Sequence, residues 1–179
     1  MIYLASDYHL GHKNIIKLSK RPHASLEAMR DECLATLRKT LCPTDTLVYL
    51  GDWWFSSPED CRDFVTQIPT KNIVFCTGNH DAQAITAQQK YRLFKTMCER
   101  YEFYYDDRLI VCSHYQHAVW NKAHHGSLHA FGHSHRKNGD HFGPGRSCEV
   151  GYDSTGRWLV PVSEFVEWVK DRPIGKHHE

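Results

Sequence analysis

The sequence predicts an α/β fold, and two observations carry that prediction. Five apolar runs of four to six residues each end in a polar cluster, and helix-patterned stretches separate the first three of them. Near-continuous Val, Ile, Leu, Tyr and Phe runs of this length read as strands buried on both faces, as in a sheet covered by helices. The runs are 2–6 before Asp7, 46–50 before Gly51-Asp52, and 72–77 before Gly78-Asn79-His80-Asp81. Two more follow at 108–112 before Ser113-His114 and 128–131 before Gly132-His133-Ser134-His135.

The elements between and after these runs follow in order. Over 25–41, Leu26, Met29, Cys33, Leu34, Leu37 and Leu41 form one stripe at helical spacing, with Ser25 placed to cap it. Ser57-Pro58 is an N-cap followed by Pro at the first helical position, and Cys61, Phe64, Val65 and Ile68 then fall on one face. A weaker helical pattern runs over 82–99, with Tyr91, Phe94 and Met97 as its buried side. After residue 139 the texture changes to Gly, Pro and short strands at 149–152 and 158–162, and Ser163 caps a closing helix over 164–170. Ligand sites of open α/β sheets lie beyond the carboxyl ends of the strands. Every polar cluster falls at such an end, so five segments are expected to meet at one edge of one sheet.

Composition narrows the function classes. A chain of 179 residues, 41% hydrophobic and 24% charged, reads as one domain over 1–179. A formal charge of +1 argues against duplex nucleic acid or an anionic membrane as an obligatory partner. No apolar run approaches the ~20 residues of a membrane span, and the start MIYLASDYHLGH lacks a cleavable signal pattern. The expectation is a soluble, cytoplasmic protein. Seven cysteines with no C-x-x-C pair, several inside apolar stretches, argue against both a disulfide framework and a Cys-rich zinc knuckle. Cys76 and Cys112 read as core packing. The unusual number is fourteen histidines, of which only His177 and His178 lie at the terminus.

The convergent residues are Asp7, His9, Asp52, Asn79, His114, His133 and His135. Imidazole, carboxylate and amide oxygen suit divalent Mn, Fe, Zn or Ni, and the absence of thiolates disfavours a structural zinc site. Seven donors exceed the needs of one tetrahedral ion. Two ions sharing a bridging carboxylate would use them, and paired ions ~3.5–4 Å apart recur in phosphate-ester hydrolysis. The i, i+2 spacing of Asp7 with His9 and of His133 with His135 places each pair on one side of an extended segment.

Asp-x-His (Asp7, His9), Gly-Asp (Gly51, Asp52), Gly-Asn-His-Asp (Gly78 to Asp81), a lone His114 and Gly-His-x-His (Gly132 to His135) stand in the order found in calcineurin-like metallophosphoesterases. The chain resembles that family from Ile2 to about Asp153, and SDYHLGHKNI at 6–15 looks like its small bacterial and phage members. The resemblance implies two mixed sheets packed together and flanked by helices, a four-layer αββα arrangement. It implies that Asp7, His9 and His135 bind one metal, Asn79, His114 and His133 the other, and that Asp52 bridges. Manganese is the first expectation, with Fe, Zn or Ni as alternatives. It also implies that His80 touches the phosphate or protonates the leaving oxygen, oriented by Asp81, while a hydroxide bridging the ions attacks phosphorus. Tyr8, Ser134 and Glu149 depart from the residues common in relatives, at positions that are not ligands.

The function expected is a metal-dependent phosphohydrolase, with a phosphodiester favoured over a monoester and a small, nucleotide-like substrate in view. Two alternatives stand beside it: a non-catalytic scaffold on the same fold, whose relatives lack the histidine found here at His80, and a nuclease for short or single-stranded nucleic acid. His12 and Asn14 read equally as substrate-facing residues and as caps of a short helix at Ile15. His117, His124, His125 and His129 read as solvated or polar-loop histidines, in or just beyond a candidate rim loop at 115–127. Trp53 and Trp54 read as core anchors, with stacking on a base or sugar as the alternative.

Overall fold

Alternation along the first three predicted strands sets the layering of the molecule. The structure is a computed structural model describing residues 1–136 and 141–174, so His177 and His178 lie outside the described residues. Strands β1 (Ile2–Ala5), β2 (Thr46–Tyr49) and β3 (Asn72–Cys76) pair in parallel, close to the predicted runs. Tyr3, Ala5, Leu47, Tyr49, Ile73 and Phe75 belong to one apolar cluster, which also takes in the helices α2 (Leu26–Thr40) and α3 (Pro58–Val65). The intervening Leu4, Val48, Val74 and Cys76 belong to a second cluster, where they meet Ile110, Cys112, Leu128, Ala130 and Cys148.

Those partners come from another sheet. Its strands β5 (Arg100–Tyr105), β6 (Arg108–Ser113), β7 (Leu128–Phe131) and β8 (Ser147–Glu149) stand in the order β5-β6-β7-β8. The first sheet is completed by β4 (Thr96–Cys98), parallel to β3, and β9 (Val160–Pro161), antiparallel to β1. The fold is therefore two facing sheets flanked by helices. The polar clusters do not sit on one edge of one sheet, as the strand pattern alone suggested. They stand at the carboxyl ends of β1, β2 and β3 in the first sheet and of β6 and β7 in the second. β5 is antiparallel to β6 and opens the second sheet in mid-chain. An isolated bridge between Ser6 and Gly151 ties the sheets together where the clusters meet.

Both helix caps predicted for the first half are present, with Ser25 and Ser57 accepting from the N–H of Ala28 and Asp60. A short helix α1 (Ile15–Ser19) has Asn14 at its N-cap position without a side-chain cap bond. The helix expected over 82–99 is shorter. Helix α4 (Ala82–Tyr91) ends where Arg92 turns left-handed, and Gln88 exchanges two hydrogen bonds with the backbone of Phe94. Phe94 lies in the connecting loop and Met97 in β4, so the apolar positions taken as one helical face divide among a helix, a loop and a strand.

Three further corrections fall near the end of the chain. Residues 149–152 hold the end of β8 and the start of a one-turn helix α5 (Tyr152–Thr155), because Gly151 occupies an N-cap position. The strand expected over 158–162 is confined to β9. Helix α6 (Val162–Val169) begins before Ser163, so that serine is not its cap. Among the described residues no helix is long and apolar enough to cross a membrane. Trp53 and Trp54 are fully buried, with the Trp53 ring 4.3 Å from Tyr49 and 5.8 Å from Phe75, so neither is available to stack on a substrate.

Candidate metal centre

Beyond β1 and β2 the two chain segments stay paired as they leave the sheet. The N–H groups of Asp7, His9 and Leu10 donate to the carbonyls of Gly51, Asp52 and Trp53 at 3.0, 3.0 and 2.8 Å. Within this ladder Asp7, His9 and Asp52 adopt left-handed backbone (φ 58°, 51° and 59°), and His133 and His135 do the same after β7 (72° and 46°). Such residues cost on the order of 1–3 kcal/mol each and gather at functional sites. Asp7 with His9, and His133 with His135, therefore do not share one side of an extended segment as their i, i+2 spacing suggests; these side chains converge through left-handed kinks. Glycine serves close approach here. A Cβ on Gly51, itself at φ 88°, would stand 2.6 Å from His114 Nδ1, and one on Gly132 would stand 2.5 Å from Asp7 Oδ2.

The kinks bring the candidate ligands into two adjoining groups. Asp7, His9 and His135 offer donor atoms within 4.8 Å of one another, and so do Asp52, His114 and His133. In the first group Asp7 Oδ1 lies 3.7 Å from His9 Nε2 and 3.8 Å from His135 Nε2, and the two imidazole nitrogens face each other at 2.9 Å. In the second, Asn79 Oδ1 lies 3.1 Å from His114 Nε2. Asp52 Oδ2 stands 3.6 Å from both His9 Nε2 and His114 Nε2, at the junction of the two groups. His133 and His135 thus divide between the groups.

The donor set fits divalent cations. Asp7 and Asp52 are both 1% exposed, and among the described residues neither carboxylate pairs with Lys or Arg. Buried charges of one sign need a counter-charge. Burial opposes ionisation of Asp7, but bonding to His9 and Ser6 and the charges of His135 and His114 outweigh it and hold its carboxyl below the usual range. The imidazoles are aimed as ligands should be. His114 Nδ1 donates to Leu50 O at 2.8 Å and His135 Nδ1 to Asp153 Oδ2 at 2.5 Å, leaving each Nε2 lone pair toward the centre.

His80 is exposed on the rim, and its backbone N–H donates to Asp52 Oδ1 at 2.9 Å. Its ring lies 5.1 Å from Phe55 and 6.0 Å from His9. Asp81 does not orient that ring. Its carboxylate lies beneath the loops and accepts from the N–H groups of Asp52, Trp53 and Gly78 at 2.8, 2.9 and 2.6 Å. Nor does it cap α4, since it makes no side-chain cap bond. Its geometry makes it a clamp joining the Asp52 loop to the Asn79 loop. His12 sits half-buried beside the site, its ring 4.6 Å from Phe55.

The sequence does not reveal the bracing role of three residues behind this centre, Arg21, Glu149 and Asp153. Arg21 and Asp153, 132 positions apart, form a two-pronged ion pair at 2.8 Å on each prong. The same guanidinium donates to the carbonyls of Asp7 and Tyr8 at 2.7 Å. Burial opposes ionisation of Asp153, yet His135 and Arg21 hold it well below the usual carboxylate range. Glu149 accepts from the N–H groups of His135 and Arg136 and from Ser154 Oγ. Arg21→Ala leaves the partly buried Asp153 carboxylate with His135 as its remaining side-chain partner and strips the Asp7 and Tyr8 carbonyls of their donor, and is expected to cost about 3–5 kcal/mol, read from urea unfolding. A loss under 1 kcal/mol would contradict this role.

His129 also departs from expectation. It is fully buried, donating from Nδ1 to Val111 O at 3.0 Å and accepting at Nε2 from the His117 N–H at 3.1 Å. Trp120 covers its ring at 5.1 Å, so the outer face of β7 is not open to solvent. Burial pushes the His129 ring down to about 4 from 6.5. The unfolded chain therefore binds a proton that the folded chain refuses between those values. Its contribution to stability is intact above about pH 6.5 and falls by about 1.4 kcal/mol per pH unit as pH drops toward 4. NMR titration of the ring should give a midpoint near 4, and a midpoint near 6.5 would contradict the assignment.

Two clefts open onto the centre. One of about 630 Å³ borders Asn79 and His114 and reaches Thr77, Glu99, Arg100 and Tyr115. The other, about 770 Å³, borders His135 and Asp153 and reaches Leu18, Lys20, Arg136 and Tyr152.

No protein-family model matches the chain. An uncharacterized protein of Methanocaldococcus jannaschii is 34% identical over 82 residues, which is 45% of this chain and 46% of that protein. The match thus spans about half the length of that curated relative. A protein of unknown function from Aquifex aeolicus superposes with a TM-score of 0.71 at 19% identity, covering 94% of this chain and 99% of its own. The two share a fold. Looser similarities join the chain to the E. coli phosphoesterase Yfce (TM-score 0.45, 13% identity, 89% of this chain and 81% of that one). An archaeal phosphodiesterase stands at a comparable distance (0.48, 18%, 86% and 83%). Similarity at that level decides nothing about activity.

Proposed function

We propose that the chain is a metal-dependent phosphoesterase with two divalent ions. Asp7, His9 and His135 would hold one, Asn79, His114 and His133 the other, and Asp52 would serve both. The observation that carries this reading is the position of Asp52 Oδ2, 3.6 Å from Nε2 of both His9 and His114. The motif resemblance supplies the reaction class. When bound, such ions polarise a phosphoryl oxygen and acidify water toward a pKa of about 7. The rest falls to the chain itself. Asp7 and Asp52 provide buried negative charge, and Asp153 and the Leu50 carbonyl hold His135 and His114 in their ligating tautomers. His80, exposed on the rim, donates a proton to the departing oxygen or a hydrogen bond to the phosphoryl group.

The two clefts favour a phosphodiester, because a diester carries an organic arm on each side of phosphorus and a monoester carries one. Manganese is the expected ion, and the chain is taken to act as one domain. The test is a panel of Mn²⁺, Ni²⁺, Zn²⁺ and Mg²⁺ against p-nitrophenyl phosphate, bis-p-nitrophenyl phosphate and cyclic nucleotides. Metal-dependent turnover with the higher kcat/KM on diesters is expected. No turnover on any of these substrates with any of these metals would leave the scaffold reading.

A further inference from the structure

The cleft on the Asn79–His114 side has a composition that selects among diesters. Tyr115 stands at its inner end, 48% exposed, with its ring edge-on to His133 at 4.6 Å and to His114 at 5.0 Å. A large aromatic side chain left this open beside a polar centre offers a flat face to a ligand. It is held in place from behind. Ser113 Oγ donates to the Tyr115 carbonyl at 2.8 Å, and buried His129 fixes the backbone two residues on. The same cleft is lined by Glu99 and Arg100, with Arg100 Nε 3.2 Å from Glu102 Oε1. Thr77 and His117 complete the lining.

The lining thus carries one positive and one negative side chain together with hydroxyl and imidazole groups. An acyl chain would leave these groups unsatisfied, and a purely anionic arm would meet Glu99. An arm with a flat face, and with donors and acceptors along its edge, satisfies both the aromatic ring and the polar groups of this lining. We infer that this cleft is a nucleoside subsite, in which Tyr115 stacks on the base while Arg100 and Glu99 meet its polar edge. The inference rests on the phosphoesterase reading and names the substrate class of that same site.

The test compares two diesters with one leaving group, thymidine 5′-(p-nitrophenyl) phosphate and methyl p-nitrophenyl phosphate, on the manganese-loaded protein. Base–aromatic stacking is worth ~1–3 kcal/mol, so kcat/KM for the thymidine ester should exceed that for the methyl ester by roughly tenfold or more. Tyr115→Ala should bring the ratio close to one and Tyr115→Phe should keep it, while Arg100→Ala should lower it several-fold. Calorimetry provides a readout apart from turnover: thymidine 5′-monophosphate should bind more tightly than inorganic phosphate to the wild type and lose that advantage in Tyr115→Ala. A ratio near one in the wild type, or one unmoved by Tyr115→Ala, overturns the subsite while leaving the phosphoesterase reading standing. Failure to hydrolyse either ester with any metal overturns both.

Discussion

Asp52→Asn is expected to lower kcat/KM by about 10³ or more and to empty both metal positions, since each 1.4 kcal/mol of lost stabilisation is a factor of ten and both ions lose a shared anionic donor. The exchange is nearly isosteric. The Asn side chain keeps an oxygen where Asp52 Oδ1 accepts the His80 N–H, so the loop retains that contact. Removing a negative charge buried beside Asp7 also relieves like-charge repulsion in the metal-free chain. Thermal unfolding of metal-free Asp52→Asn should therefore occur no lower than that of the metal-free wild type, which separates loss of metal from loss of fold. A variant that kept its metal and its rate would remove Asp52 from the junction of the two groups.

His80→Ala is expected to retain both ions while kcat falls by ~10²–10⁴, the usual worth of a positioned acid or base. The difference from the ligands is structural. His80 reaches the centre through its backbone N–H, which the Ala variant keeps, and its ring lies 6.0 Å from the His9 ring. Loss should be greater for an alkyl alcohol leaving group than for p-nitrophenolate, which departs with little protonation. His114→Ala should instead lower metal content along with rate. Loss of an ion in His80→Ala would make His80 a ligand, and equal losses on the two leaving groups would make it a phosphate clamp and not an acid.

Much of this molecule is legible in its sequence for reasons that can be named. β1, β2, β3, β6 and β7 are short and buried on both faces, so their apolar runs are nearly unbroken, and Ser25 and Ser57 mark helix starts with their side chains. β4 and β5 were missed because Thr96–Cys98 is only half-buried and Arg100–Tyr105 has both exposed and half-buried positions, without a glycine or proline to mark where either strand begins. Arg92 ends α4 in a left-handed conformation that sequence assigns more readily to glycine. At the candidate site the motif residues stood out because chemistry-bearing side chains followed every long apolar run. The left-handed kinks that bring them together did not, since Asp and His carry no marker for them. Arg21 and Asp153 meet only through tertiary structure. His129 was misread because alternation places it outward on β7, and only the structure shows Trp120 lying across that face.

The dinuclear reading is tested most directly by counting metal. Wild-type protein loaded with Mn²⁺, freed of excess ion by gel filtration and analysed for element and protein together should carry two ions per chain, one for each donor group. One ion per chain, or none, would contradict the assignment of Asp52 to a shared position between two metals.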